Sequence, residues 1–368
     1  PIVIRFLLSN LTETKRGKLI KMRKIYKIVV FSLVALMVFG AISINEVEAQ
    51  EYNWKFALEE IEGSVQHIWA MEFKKRMAEK SNGKVNIDIY PYGTLGTSGD
   101  ISEQTMNGVI EFAFSTPSWF ATTIPEAGLF SLHYLWSDNL QVNKYVMENS
   151  EAIYGDLSNI YNDKGLKLLQ VFHEGWQVWT ANKPIRKPAD FEGVKIRVMG
   201  DPILINNYQA YGANAVRLAY SEIYSSLQLN MIDAQVQPYF ATQEMKFYEQ
   251  QEYLIEAKQV PFITGVIINK NFFDNLPEEY QNMVVETARG MTDFIFEEQK
   301  ELNQKRLDMM LEDKPSLEVI KLTEEERAAF EERAKTVWET YKDNVGEDGT
   351  AILEKLQSEI ESAEEQFE

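Results

Sequence analysis

The sequence predicts an α/β protein of two lobes, and three observations carry that prediction. Strand-like and helix-like segments alternate along most of the chain, the length of 368 residues exceeds a single ordinary domain, and a composition 45% hydrophobic and 25% charged is that of a globular protein. At about 100 to 200 residues per domain, such a length corresponds to roughly two domains. The chain has no cysteine, which excludes a thiol nucleophile, a thiolate metal site, a disulfide framework and a lipid anchored through cysteine. Its net charge of -19 argues against a nucleic-acid or anionic-membrane partner, because phosphate binding needs clustered Lys and Arg.

The first segment reads as a targeting signal rather than as part of the fold. Lys21, Arg23, Lys24 and Lys27 form a basic stretch, residues 28–42 are apolar apart from Ser32 and Gly40, and Val47 and Ala49 place small residues ahead of a cut before Gln50. Residues 1–21 precede Met22, the expected start. About 15 apolar residues fall short of the roughly 20 that span a bilayer, so a cleaved secretory signal over about 22–49 is expected rather than a retained anchor. The first 49 residues hold eight Lys and Arg against three Asp and Glu, so their removal takes the net charge from -19 to -24. A free periplasmic protein without membrane insertion is expected, whose anionic ligand must be drawn by a local positive site.

After the signal, residues 54–58 form a short strand. Residues 64–80 follow as a helix with Val65, Ile68, Trp69, Phe73 and Met77 near helical spacing. The turn Ser81-Asn82-Gly83 opens a strictly alternating strand over 84–90. A helix carrying Ile101, Met106 and Val109 leads to a strand at 111–115, and 165–172 is a further apolar strand. This pattern implies a parallel-rich sheet with helices on both faces. A second unit begins near Gly175, with strands at 194–198 and 233–237 and helices after 198 and over 221–229. Residues 262–269 are long enough to rejoin the first sheet, and Pro277 starts one amphipathic run through Met283, Val284, Ala288, Met291, Phe294 and Leu302. Thr323 with Glu326 has a capping-box pattern and opens packing helices through Phe330, Val337, Trp338 and Tyr341. The expected division is an upstream segment and signal over 1–49, a first lobe over 50–174 and 263–302, and a second lobe over 175–262 and 303–368 with the C-terminal helices.

The sequence lacks the signatures of common catalysis. It has no G-x-S-x-G elbow, no phosphate loop, no dinucleotide fingerprint and no H-E-x-x-H, and its three histidines, His67, His133 and His173, are far apart. Paired carboxylates such as Glu59-Glu60 could serve a glycosidase, but sequence alone does not give their separation in space. No enzyme, cofactor or metal is expected.

Several stretches taken in order carry a specific resemblance. These are Lys80-Ser81-Asn82-Gly83-Lys84, Tyr90-Pro91, Leu95-Gly96, Pro125-Glu126-Ala127, Lys183-Pro184, Gly193 to Val198, Tyr220-Ser221-Glu222-Ile223-Tyr224 and Asp233 to Pro238. Over about residues 52–341 the chain resembles the solute-binding proteins of tripartite ATP-independent periplasmic (TRAP) transporters, the DctP family. The resemblance implies a two-lobed periplasmic-binding-protein fold of mixed sheets flanked by helices, with a long lobe-spanning helix near the C-terminus. It implies a receptor that captures a small organic acid between the lobes and delivers it to the TRAP membrane subunits.

Candidate ligand-binding residues follow from the matched positions and from their places at or beyond strand ends, where open α/β sheets bind ligands. Arg197 resembles the family's carboxylate-clamping arginine, whose planar fork can hold a carboxylate by two parallel hydrogen bonds. Where many members carry a second arginine this chain has Gln177, which cannot neutralise a second carboxylate. Glu59 would repel one as well, yet suits a hydroxyl or an amine. A monocarboxylate such as a sugar acid or keto acid is therefore expected ahead of a C4-dicarboxylate or an ectoine-like ligand, and ahead of an exported α/β enzyme acting on a sugar acid. Gln237 resembles the family's polar residue before proline. Trp119, Tyr220, Trp176 and Tyr239 are the aromatic candidates for contact with ligand.

Overall fold

The computed structural model describes residues 52–367. The expected signal peptide lies outside the described residues, and among them no helix is long and apolar enough to cross a membrane.

The first sheet has five strands in the order β2-β1-β3-β10-β4, namely β1 (Tyr52–Ala57), β2 (Val85–Tyr90), β3 (Phe112–Ser115), β4 (Leu166–Trp176) and β10 (Pro261–Asn269). β1 runs parallel to β2 and β3, while β10 runs antiparallel to β3 and β4. Strand alternation feeds two cores. Phe56, Phe112, Phe114 and Val266 pack against α1 (Val65–Lys80) through Trp69 and Phe73. Ala57, Ala113, Leu168 and Ile267 face the opposite way, toward α3 (Leu140–Asn149) and neighbouring turns. β4 and β10 are almost wholly buried along their length, as strands covered on both faces must be. α2 (Ser98–Met106) opens on a capping box made by Thr97 and Asp100, and α4 (Ser158–Asp163) leads into β4.

The second sheet has six strands in the order β11-β9-β5-β8-β6-β7. They are β5 (Val178–Ala181), β6 (Lys195–Val198), β7 (Asn214–Arg217), β8 (Ala234–Gln237), β9 (Tyr253–Glu256) and β11 (Glu318–Lys321). Here one face is apolar and the other polar. Trp179, Ala181, Ile196, Val198, Ala234 and Val236 enter the core with α5 (Pro202–Ala210). The alternate residues Thr180, Arg197, Gln235 and Gln237 are just as buried but point away from that core. A buried polar stripe requires partners, and part of it finds them among its neighbours. Gln235 Nε2 donates to Thr180 Oγ1 at 3.2 Å, and Thr180 Oγ1 donates to Gln251 Oε1 at 2.9 Å. The short helices α6 (Ile223–Gln228) and α7 (Tyr239–Glu244) complete this part.

Two of the chain's passages between the sheets lie side by side. β4 ends at Trp176 and β5 begins at Val178, while Pro261, the first residue of β10, pairs with Trp176 on the way back. The amphipathic run after Pro277 is two helices beyond the short α8 (Lys270–Asp274), α9 (Glu278–Arg289) and α10 (Thr292–Asp313), which break at Gly290. α10 is the lobe-spanning helix, with Ile295 in the first sheet's core and Met310 against Tyr248 and Leu254 on the second sheet's side. The last helix, α11 (Glu324–Phe367), changes direction at Gly346, whose φ of 69° lies in the left-handed region. Its Phe330 packs on the second sheet, but Val337, Tyr341, Ile352, Leu353, Leu356 and Ile360 join the first sheet's core. Most of this helix thus lies with the first lobe, although it comes last in the chain.

Candidate functional site

The ends of β1, β3, β6 and β8 converge on one cleft between the sheets. It is lined by Glu59, Glu60, Ser98, Thr116 and Trp119 from the first sheet's side, by Arg197, Met199, Tyr220, Gln237 and Ala241 from the other, and by Phe262 at the start of β10, where the chain crosses back. The free space among them is about 30 Å³, enough for little more than one or two waters, so an organic ligand enters only when the walls separate.

Arg197 is the cleft's only cationic wall residue. It sits on the polar face of β6 between Ile196 and Val198, 1% exposed, and its Nε donates to the Leu218 carbonyl at 3.1 Å. Among the described residues no carboxylate pairs with it. Burial pulls its pKa down to about 10, which leaves it charged at neutral pH. A fully buried guanidinium without an ionic partner is costly and invites an anion that can take its two terminal nitrogens.

Glu59 forms the opposite wall, just past the end of β1. Its Oε2 accepts from both the Thr116 N–H and Thr116 Oγ1 at 2.7 Å, while Oε1 is buried with no partner. Burial pushes the Glu59 carboxyl up to about 8, against the lowering effect of the Thr116 bonds. Burial and the neighbouring Glu174 also raise Glu60 well above the carboxylate range, and burial raises Glu174 itself to about 7. Tyr220 closes the rim, edge to face with Tyr92 at 5.7 Å and with Phe247 at 5.7 Å. Trp119 packs against the second sheet's core. Among the described residues no cluster of His, Asp or Glu could hold a metal ion.

Of the eight residues expected from the sequence, the structure brings Glu59, Trp119, Arg197, Tyr220 and Gln237 into this cleft. It places Trp176, Gln177 and Tyr239 along a second, wider cavity of about 840 Å³ beside α10, together with His173 and Lys258. The cause is the crossover. Gln177 is the single residue between β4 and β5, and its N–H bonds to the Val260 carbonyl at 3.2 Å, which fixes it where the chain passes from sheet to sheet. The Tyr239 hydroxyl bonds to Glu256. Sequence reasoning did not select Glu60, Thr116 and Phe262 for this cleft, although the Glu59-Glu60 pair was a visible signal. It also missed Gln66 and Glu174, which lie in the first turn of a helix and near the end of a long strand.

Comparison with known proteins agrees with this architecture. Residues 56–344 match the family model described as bacterial extracellular solute-binding protein, family 7 (DctP). The chain is 33% identical over 332 residues to the ectoine/5-hydroxyectoine-binding periplasmic protein UehA of Ruegeria pomeroyi, covering 90% of this chain and 97% of that one. It is similar to the solved structure of the periplasmic ectoine-binding protein of the TeaABC TRAP transporter of Halomonas elongata, with a TM-score of 0.81 and 33% identity over 84% of this chain and 99% of that one. It is also similar to an apo, open structure of a TRAP periplasmic solute-binding protein from Marinobacter aquaeolei VT8, with a TM-score of 0.79 and 36% identity over 83% and 99% of the two chains.

Proposed function

Because the chain belongs to the DctP family, the bacterial extracellular solute-binding proteins of family 7 that serve TRAP transporters, we propose that it is an exported receptor that captures a small zwitterion between its two lobes and delivers it to the membrane subunits of a TRAP transporter. The observation that carries the ligand class is the placement of opposite charges on opposite walls. Arg197 offers an unpaired guanidinium, and Glu59 offers a buried carboxyl oxygen without a partner. A molecule with a carboxylate at one end and a protonated nitrogen at the other satisfies both at once. Ectoine, a cyclic amidine that carries a carboxylate, has this form, and the proteins from Ruegeria pomeroyi and Halomonas elongata named above are ectoine-binding. A C4-dicarboxylate fits poorly, since its second carboxylate would lie against Glu59 and Glu60, a wall with no cation to neutralise it. This reading departs from the sequence's preference for a sugar acid or keto acid, because Gln177, on which that preference leaned, lines the other cavity.

One observation keeps the hydroxy monocarboxylate as a second reading. Burial holds the Glu59 carboxyl up to about 8, and in its protonated form it would donate to a hydroxyl and leave the cleft with Arg197 as its only charge. Both readings use lobe closure and no covalent step. Thermal unfolding of the protein against ectoine, galactonate, pyruvate and succinate separates them. Ligand at about a hundred times its dissociation constant adds roughly 2.7 kcal/mol, a shift of a few degrees. Stabilisation by ectoine supports the zwitterion reading, stabilisation by galactonate alone supports the second, and stabilisation by succinate alone overturns both.

A further inference from the structure

Behind the acidic wall stands a cluster that contact with ligand alone does not require. Gln66, fully buried on α1, ties two carboxyls to the Glu59 backbone. Its Oε1 accepts from the Glu59 N–H at 2.8 Å, its own N–H donates to Glu60 Oε2 at 3.3 Å, and its Nε2 donates to Glu174 Oε1 at 3.1 Å and reaches Thr264 Oγ1 at 3.4 Å. The Glu60 and Glu174 side chains lie within hydrogen-bonding reach of each other, a contact that two carboxyls keep only by sharing a proton. All these groups belong to α1, to strands of the first sheet or to the loop after β1, so the cluster does not depend on the distance between the walls. Other charged or titratable groups face it from the remaining elements. Glu244 on α7 is paired with Arg306 on α10 at 3.1 Å, and Tyr220 and Arg197 face it across the cleft.

We infer that Glu60 and Glu174 make capture of a cationic ligand group a proton-releasing event, in which the ligand's nitrogen cation takes up the position at Glu59 Oε1 and the proton it displaces passes to solvent. The inference rests on the zwitterion reading. The atoms balance simply: a protonated Glu59 and a cationic ligand become an ionised Glu59 paired with that ligand and one free proton. Oε2 is already committed to Thr116, so Oε1 is the atom that carries either the proton or the ion pair. Glu60 and Glu174 act as positioning residues. Through Gln66 they fix the Glu59 backbone, and whatever charge the pair carries adds to the burial that already makes an ionised Glu59 expensive unless a cation stands beside it. The raised values of Glu59 and Glu174, about 8 and about 7, put the event near neutral pH.

The sign follows from linkage. A group protonated in the free protein and ionised in the complex makes affinity rise with pH below its free pKa and level off above it. Isothermal titration with ectoine as the probe, at pH 7 in phosphate and in Tris, reads the number of protons exchanged from the difference in buffer ionisation heat. The expected result is release of a substantial fraction of one proton per ectoine bound, with a dissociation constant that falls between pH 6 and pH 8 by up to about tenfold per pH unit. Glu174→Gln keeps an acceptor for Gln66 and removes one competing charge, so ectoine still binds, fewer protons are released at pH 7 and the pH profile moves to lower pH. Glu60→Gln provides the same readout should that variant fail to fold. Ectoine binding with no proton exchanged and a flat pH profile overturns this inference alone. Failure of ectoine to bind while galactonate binds overturns the zwitterion reading and the inference with it.

Discussion

Replacing Arg197 with methionine should separate binding from folding. The guanidinium is 1% exposed, holds one hydrogen bond to the Leu218 carbonyl and has no carboxylate partner. Its removal abolishes the attraction for the ligand's carboxylate, and truncating one partner of a buried, hydrogen-bonded charge pair costs about 2 to 5 kcal/mol. At about 1.4 kcal/mol per tenfold, affinity should drop by a factor of roughly thirty to several thousand. Stability should respond differently. The variant leaves the Leu218 carbonyl unpaired, at about 1 to 3 kcal/mol, but relieves a buried charge whose desolvation is of similar or larger size. The ligand-free melting temperature should therefore stay within a few degrees of the parent or rise. Titration calorimetry with the stabilising ligand and thermal unfolding without it make the two measurements. Were Arg197 a structural ion pair instead, its loss would destabilise the free protein by about 3 to 5 kcal/mol. A large fall in the ligand-free melting temperature, or unchanged affinity, refutes the clamp.

Glu59→Gln preserves an acceptor for Thr116 and removes the charge facing the ligand's cation, so affinity for ectoine should fall by about 1.5 to 3 kcal/mol while affinity for galactonate holds or improves; competition between the two ligands reads the switch. The free protein's stability should fall as pH rises from 6.5 to 8. Glu59 and Glu174, raised above the unfolded value of 4.5 to about 8 and about 7, contribute stability that is full below 4.5 and lost on passing through those values, at up to about 1.4 kcal/mol per pH unit per proton. His133 and His173, held down to about 3 and about 4 by burial, contribute stability present above 6.5 and lost only as pH falls toward those values. A melting temperature that rises from pH 6.5 to 8 contradicts the assignment, and Glu59→Gln should flatten the fall. At the crossover, Gly175 has φ 134°, and a Cβ there would lie 2.6 Å from Asn303 Nδ2, which donates to the Glu174 carbonyl at 2.7 Å. Gly175→Ala should cost about 1 to 3 kcal/mol, and less when introduced beside Asn303→Ala, a coupling that a double-mutant cycle in denaturant would measure.

The long, regular elements were legible because their patterns repeat. Alternation located β2 and the apolar strands β4 and β10, and helical spacing located α1. Four-residue strands are too short for a period to show: β3, β6 and β8 stood out by their apolar content and flanking turns, while β5, β7, β9 and β11 are decided by pairing with neighbours. The break at Gly290 was hidden because the apolar spacing continues across it into α10. In the site, residues just beyond strand ends were readable by position, which is why Glu59, Arg197 and Gln237 meet. Trp176 and Gln177 fail to join them because β4 runs on to Trp176 rather than ending near Phe172, so the chain turns later than expected, and Tyr239, at the start of α7, is held by its hydroxyl's bond to Glu256. Gln66 and Glu174 are separated by 108 residues, and nothing local marks either as a partner of Glu59.

The division of the cleft between two walls has a consequence for molecules shorter than the true ligand. The anion-seeking Arg197 and Gln237 belong to one sheet, and Glu59 and Thr116 to the other. Acetate, or any fragment with only the acid end, satisfies the first wall and leaves the second with nothing to hold. Such a fragment competes for Arg197 without drawing the walls together. A receptor built this way distinguishes being occupied from being loaded, and half-length analogues should act on it as inhibitors rather than as cargo.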